Sequence, residues 1–302
     1  MPVVILQAYM DRKETTILAA VDLGADTEKV LSYSLWLSQA LADGSGYITI
    51  LNVMDFALTP PAYLLPYMEK EEEATGIELK QWADRLKQYG ATATVRLGVG
   101  MLVETFSKTM HALNVTAMVL GHKSHVIRTS SSERLIKSLN VPMLVVRGRK
   151  ADSAVLGHIN IKNILCAVDF SVHSNRVLEF AHAIAEKNSS GLQVAHILSS
   201  LKLEKSFASL RNLSEEDKKN YRDHAIQEAE KAISLPANVC DKAERIIKIG
   251  VPYKAINEIA AERDSDLIVI GAQGVSSTKG VLLGSIAEAL IKSSPCPVMI
   301  IR

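Results

Sequence analysis

The sequence predicts two tandem α/β units, each a doubly wound parallel sheet of five strands. Three observations predict it. Short apolar runs that end in Asp or Gly alternate with amphipathic stretches, the pattern of strands buried on both faces between crossover helices. The whole series is written twice along the chain. The length of 302 residues matches two ordinary domains of about 150 residues each.

The two copies can be followed element by element. TTILAAVD (15–22) and KNILCAVD (162–169) are the opening strands, each closed by an Asp. Helices follow: Val30, Leu31, Leu35, Leu37 and Leu41 recur at helical spacing in the first copy, and Val177, Leu178, Ala181, Ile184 and Ala185 in the second. Next come strands YITILNVMD (47–55) and LQVAHIL (192–198), then long polar helices near 67–89 and 215–234. ATVRLG and RIIKIG are third strands, helices start after Gly100 and Gly250, and TAMVLG and DLIVIG are fourth strands. A last helix and strand close each copy, with VPMLVVR (141–147) and CPVMIIR (296–302) as the final strands. Residues 148–162, rich in small and polar side chains, read as a linker, so the expected domains are 1–150 and 151–302.

With 48% hydrophobic and 22% charged residues, the chain can bury a full core without a metal or disulfide staple. A formal charge of +1, from 34 basic and 33 acidic residues, gives no general surface for nucleic acid or anionic lipid. The three cysteines, Cys166, Cys240 and Cys296, are scattered and odd in number, as expected of reduced thiols. The run PVVILQAYM is too short to span a membrane and lacks signal-peptide features, so a cytoplasmic location is expected.

In open parallel sheets, ligands bind beyond the carboxyl ends of the strands where the strand order reverses. Asp169 and the loop after DLIVIG fall on that edge in the second copy. Gly271 ends the strand, Gly274 lies three residues on, and Gly284-Ser285 opens the helix IAEALIKS. Glycines let backbone amides approach a phosphate, and a helix N-terminus favours an anion. Ser285 is expected to cap that helix and offer its hydroxyl. The same glycines could also serve turns alone. Neither a P-loop nor a G-x-G-x-x-G motif is present.

VDFS (168–171), His196-Ile197, Gly250-Val251-Pro252, Gly271-x2-Gly274-x9-Gly284-Ser285 and the final PCPVMII make the second half resemble a universal stress protein domain of the ATP-binding kind. The first half resembles that family less closely, so the chain is similar to a tandem universal stress protein. The resemblance implies a Rossmann-like, adenine-nucleotide α-hydrolase-like fold that binds ATP. It implies that Asp169 contacts the adenosine end, Ile197 lies against adenine and Val251 lines the pocket. The backbone around Gly271, Gly274, Gly284 and Ser285 would then hold the phosphates, and Ala167, Ala272, Gln273 and Ile286 would complete the nucleotide site. Mg²⁺ is expected to accompany the phosphates, with no metal site built from side chains alone.

The first copy departs from this pattern. Asp22, Val53 and Gly121 match Asp169, Ile197 and Gly271, but Ser124 replaces the second glycine and Thr129-Ser130 replaces Gly284-Ser285. Measured to Pro142 and Pro297, the loop and helix span 21 positions against 26. ATP is therefore expected to bind poorly or not at all in the first domain. His122 and His125 form an H-x2-H read as two exposed loop histidines, and His196 reads as a packed, hydrogen-bonded residue. Glu69 to Glu73 reads as the solvated face of a helix.

Two function classes stay open. One is a cytoplasmic stress-response module that binds ATP and hydrolyses it slowly or not at all, a weak ATPase at most. The other is an ATP-hydrolysing or nucleotidyl-transferring enzyme, against which Ser276, Ser277 and Thr278 lack an adjacent histidine partner. The resemblance further implies pairing of the last strands, within one chain and in a homodimer.

Overall fold

The computed structural model describes residues 15–42, 46–55, 65–122, 130–171, 173–209, 213–233, 243–274 and 283–302. The chain divides into two compact units, Met1–Asn160 and Ile161–Ile301, with Arg302 grouped with the first.

The first unit contains β1 (Thr16–Ala20), α1 (Thr27–Leu41), β2 (Tyr47–Met54), α2 (Leu65–Gln88), β3 (Thr92–Val99), α3 (Leu102–Leu113), β4 (Ala117–Gly121), α4 (Ser131–Ser138) and β5 (Met143–Val146). Its strands are parallel in the order β3-β2-β1-β4-β5. Ile17, Leu18, Ile48, Ile50, Met118 and Leu144 are wholly removed from water. A strand covered on both faces has no solvent side, which is why β1 and β4 read as unbroken apolar runs. In α2, Glu69, Glu71 and Glu73 are exposed and Leu79, Ala83 and Leu86 are buried, so the acidic run is a solvated helix face.

The segment read as a linker is more ordered than its composition suggests. It holds the one-turn helix α5 (Arg149–Asp152), whose Ala151 is buried and whose Asp152 accepts a hydrogen bond from Lys29 Nζ at 2.7 Å. Gly157 sits at φ +80, and a Cβ there would lie 2.2 Å from the Tyr89 ring. The stretch therefore packs onto the first unit.

The second unit contains β6 (Asn163–Val168), α6 (Ser174–Asn188), β7 (Gly191–Ser199), α7 (Ser200–Ser209), α8 (Glu215–Ala232), β8 (Ala243–Gly250), α9 (Pro252–Glu262), β9 (Leu267–Gly271), α10 (Ser285–Ser293) and β10 (Val298–Ile301). Its parallel order is β10-β9-β6-β7-β8. Helix α7 was not expected; none of its residues is fully buried, and Leu203 and Phe207, one turn apart, are half-buried. Phe207 meets Tyr221 of α8 edge-on at 5.5 Å, and the Arg222 guanidinium lies 5.3 Å above the Phe207 ring. Ser214 and Asp217 form a reciprocal capping box that starts α8.

Candidate functional site

In the second unit β6 lies between β7 and β9. The chain leaves β6 toward β7 and β8, then returns on the other side through β9, so the carboxyl ends of β6 and β9 flank the reversal of strand order. Asp169 follows β6 and Gly271 ends β9, in strands registered through Ala167 and Ile270. The Asp169 carboxylate is held in place. Its Oδ1 accepts from Ser171 N at 3.0 Å and from Ser174 Oγ at 3.1 Å, and the Ser174 hydroxyl accepts in turn from Asp169 N at 3.2 Å.

The glycine loop rises from a pinned base. Ala272 N donates to Ile301 O and Gly284 N donates to Ala272 O, both at 2.7 Å. Gly274 runs so near Asp169 that a Cβ would stand 2.4 Å from Oδ2, and a Cβ on Gly271 would meet Gln273 O at 3.2 Å. Ser276, Ser277 and Thr278 lie outside the described residues. One expectation needs correction: Gly284, at φ −76 and ψ 156, is the N-cap of α10, and Ser285 is its first helical residue, exposed to solvent. With glycine at that position no side-chain oxygen caps the first turn. Its amides and the dipole favour an anion instead. Ile286 follows on the same turn, half-buried.

On the other side of Asp169 stands an aromatic pair. The Phe170 ring stacks on His196 with centroids 4.1 Å apart and planes at 28°. His196 Nδ1 donates to Val168 O at 2.9 Å, which fixes the neutral tautomer with its hydrogen on Nδ1. Burial lowers the His196 pKa below its usual value, and Lys202 works in the same direction. The hydrogen bond to Val168 and the charge of Asp169 work against it. Ile197 pairs in register with Lys248 and is half-buried, while Val251 is the N-cap of α9, with Pro252 in its first turn. Ala167 is buried.

The first unit repeats the frame and changes the contents. Asp22 Oδ1 accepts from Gly24 N at 2.9 Å, and Asn52 Nδ2 donates to Val21 O at 2.9 Å, as His196 does to Val168 O. Leu23 and Phe170 share a left-handed backbone, φ +55 and +59. Val53 is half-buried, and a Cβ on Gly121 would meet Val30 Cγ2 at 3.4 Å. At α4 the contents diverge. Ser130 is its N-cap and accepts from Glu133 N at 3.2 Å, so its own hydroxyl takes the place an anion would have. Matching helix starts, Ser130 corresponds to Gly284: nine positions separate Gly121 from its N-cap against thirteen from Gly271. The loop is therefore four residues shorter, and the fifth missing residue falls after the helix begins.

Two further differences mark this crevice. Arg134 of α4 donates to Asp55, just past β2, at 2.8 Å. Since β1 lies between β2 and β4, that ion pair reaches across the carboxyl end of β1. The corresponding residues of the second unit are Glu288 and Ser199, and Glu288 pairs with Lys292 on its own helix at 3.0 Å. His122 is buried, with Nδ1 3.1 Å from Ser132 Oγ, which corrects its reading as an exposed loop histidine. His125, Ser124 and Thr129 lie outside the described residues.

The sequence placed Phe170 within VDFS without giving it a role, and nothing in it singled out Ser174, Arg134 or Asp55. A bulky residue at matching positions after the strand-ending Asp was the available signal for Phe170. Arg134 and Asp55 are 79 residues apart, with no local pattern to join them. Among the described residues no group of three or more His, Cys, Asp or Glu could hold a metal ion.

The universal stress protein family model matches the chain twice, at residues 14–147 and 160–302. A protein of Staphylococcus saprophyticus named as a universal stress protein is 28% identical over 145 residues, 48% of this chain and 85% of that one. A universal stress protein of Methanocaldococcus jannaschii is 27% identical over 153 residues, 47% of this chain and 94% of that one. The crystal structure of a universal stress protein from Archaeoglobus fulgidus has the same fold, with a TM-score of 0.65 at 22% identity over 95% of this chain and 98% of the other. The chain belongs to the universal stress protein family and carries the family's unit twice.

Proposed function

We propose that this tandem universal stress protein binds ATP in its second domain, 151–302, as a nucleotide-dependent regulatory module, and that its first domain, 1–150, is a degenerate copy. The observation that carries the reading is the contrast between the two helix starts: Gly284 leaves the first turn of α10 without a side-chain cap, whereas Ser130 caps α4 with its own hydroxyl. An anion in the second unit would complete a helix end that the first unit completes by itself.

In this reading the loop and helix start formed by Gly271, Ala272, Gln273, Gly274, Gly284, Ser285 and Ile286 hold the phosphates, with the first-turn amides of Ser285 and Ile286 as donors, while the Ala272 and Gly284 amides pin the loop to Ile301 O and Ala272 O. Asp169, oriented by Ser171 and Ser174, accepts from a hydroxyl or amino group of the adenosine, while Ala167, Ile197 and Val251 line its apolar side. Mg²⁺ arrives on the phosphate oxygens. In the first domain Asp22, Val53 and Gly121 keep the matching positions without the cradle. Turnover in this reading is slow or nil; His196, whose Nδ1 hydrogen goes to Val168 O, keeps its Nε2 lone pair and is the residue whose substitution would test for a general base. An ATP-hydrolysing or nucleotidyl-transferring enzyme is the competing reading, and fast steady-state phosphate release, abolished by Asp169→Ala or Gly274→Val, would establish it.

No helix among the described residues is long and apolar enough to cross a membrane. A cytoplasmic location and association through the last strands, Met143–Val146 and Val298–Ile301, belong to the same proposal. The direct test is to denature freshly purified protein, identify any released nucleotide by mass, and titrate the refilled chain with Mg-ATP. One ATP per chain is expected. Two would overturn the assignment of the first domain, and none by either route would overturn the proposal.

A further inference from the structure

The carboxyl edge of the first unit loses one half of the arrangement found in the second and keeps the other. The half that is lost is the helix start, where Ser130 caps α4 with its own hydroxyl. The half that is kept lies over β1, β2 and β3. Asp22 Oδ1 accepts from Gly24 N at 2.9 Å, which orients the carboxylate as Ser171 N orients Asp169. Val53 is half-buried one strand away. Met101 is the N-cap of α3, as Val251 is of α9, and 62% of it is exposed.

The Arg134–Asp55 ion pair runs over this half, and neighbouring contacts fix its side of the sheet. Gly98 is in register with Val53, and a Cβ there would stand 2.5 Å from Thr105 Cγ2 of α3 and 3.2 Å from Val53 Cγ2. Val53 and α3 therefore share a face of the sheet, and α4 packs against α3. Arg134 of α4 reaches Asp55, two residues beyond Val53, at 2.8 Å on that same face. The pair crosses the end of β1, after which Asp22 stands. It is partly covered, with 21% of the Asp55 side chain and 38% of the Arg134 side chain exposed. At the place of Asp55 the second unit has the uncharged Ser199, which cannot hold such a bridge.

The chemistry of the edge selects its occupant. Two carboxylates, Asp22 and Asp55, outnumber the one guanidinium, and Ser130 has already taken the Glu133 amide, so a phosphate group is disfavoured. A carboxylate acceptor beside two apolar side chains suits the hydroxyl and amino groups of an uncharged nucleoside. We propose that the first domain holds a nucleoside site, formed by Asp22, Val53 and Met101, over which the Arg134–Asp55 pair is a latch. The inference rests on the ATP-binding reading above, from which the matching positions Asp169, Ile197 and Val251 take their roles. A partly exposed ion pair shifts an equilibrium by about fivefold at most, and salt weakens it. The latch therefore biases the crevice toward closure without sealing it.

The test photolabels the full chain with an azido-substituted adenosine and, in parallel, an azido-substituted ATP, and assigns the labelled peptides by mass spectrometry. The chains are wild type, Asp55→Ser, Arg134→Ala and Arg134→Lys, at low and at high salt. Adenosine labelling of first-domain peptides should be about fivefold stronger in Asp55→Ser and Arg134→Ala than in wild type at low salt. High salt should bring wild type toward those variants. The contact runs through one guanidinium nitrogen, so Arg134→Lys should stay within about twofold of wild type, which separates the latch from damage to the fold. The ATP probe should label the second domain in every chain and the first in none. The proposal is overturned if first-domain adenosine labelling is the same in wild type, Asp55→Ser and Arg134→Ala, is absent from all of them, or falls in the two variants. It is also overturned if Arg134→Lys labels as Arg134→Ala does, or if the ATP probe labels the opened first domain as strongly as adenosine. Failure of the ATP probe to label the second domain would overturn the ATP reading alone.

Discussion

Gly274 passes Asp169 at a distance that leaves no room for a side chain: a Cβ built on the glycine would sit 2.4 Å from Asp169 Oδ2. The carboxylate is the end of a short side chain, but Ser171 N and Ser174 Oγ hold its other oxygen. Making room means breaking those bonds or lifting the loop.

Gly274→Ala should therefore weaken Mg-ATP binding by tenfold or more. Because the strain is directed at one carboxylate, its stability cost should shrink in an Asp169→Ala background. A double-mutant cycle by urea unfolding should give a coupling of about 0.5 kcal/mol or more. Additive costs would show that the loop moves independently of Asp169.

Helix starts give a reciprocal pair. Ser130→Ala removes the hydroxyl that accepts from Glu133 N and should cost the first unit about 1 kcal/mol. Gly284→Ser supplies α10 with a hydroxyl of its own, so ATP affinity should fall while thermal stability without nucleotide holds or rises by a few tenths of a kcal/mol. Unchanged affinity in Gly284→Ser would mean that the helix end takes no part in phosphate binding.

His196 gives an acid dependence whose sign follows from its lowered pKa. The folded state prefers the neutral ring, so on acidification the unfolded chain takes up a proton first, near pH 6.5. Stability from this site is present above that pH and is lost as pH falls toward the lower folded value. Asp169 and Lys202 are the charges that bear on the ring, and Asp169 partly offsets the loss. His196→Asn keeps a donor for Val168 O, as Asn52 does for Val21 O. Urea midpoints measured from pH 7.5 to 5.5 should fall more steeply in wild type than in this variant.

Cys166 is fully buried, and burial pushes its thiol up to about 12 from an ordinary 9.0. The folded state keeps it neutral, so its contribution to stability is complete below pH 9 and is lost as pH rises toward 12. At pH 8 a thiol reagent should leave Cys166 unmodified in the native protein and label it on denaturation, as mass spectrometry of its peptide would register.

The sequence by itself determined the repeat, the order of strands and helices within each copy, and the placement of Asp169, Gly271, Gly274 and Gly284 at strand ends and a helix start. These are local properties: burial on both faces forces unbroken apolar strands, and a helix written on a sheet forces its own period. Tertiary structure decided the rest. Which residue caps α10 depends on backbone angles at Gly284, and the hydrophobic period is silent about those. The burial of His122, the Phe170 stack on His196 and the reach of Arg134 to Asp55 depend on strands and helices brought together across 10 to 79 residues of chain. Periodicity tells which way a side chain faces, and only the closed sheet tells what it meets there.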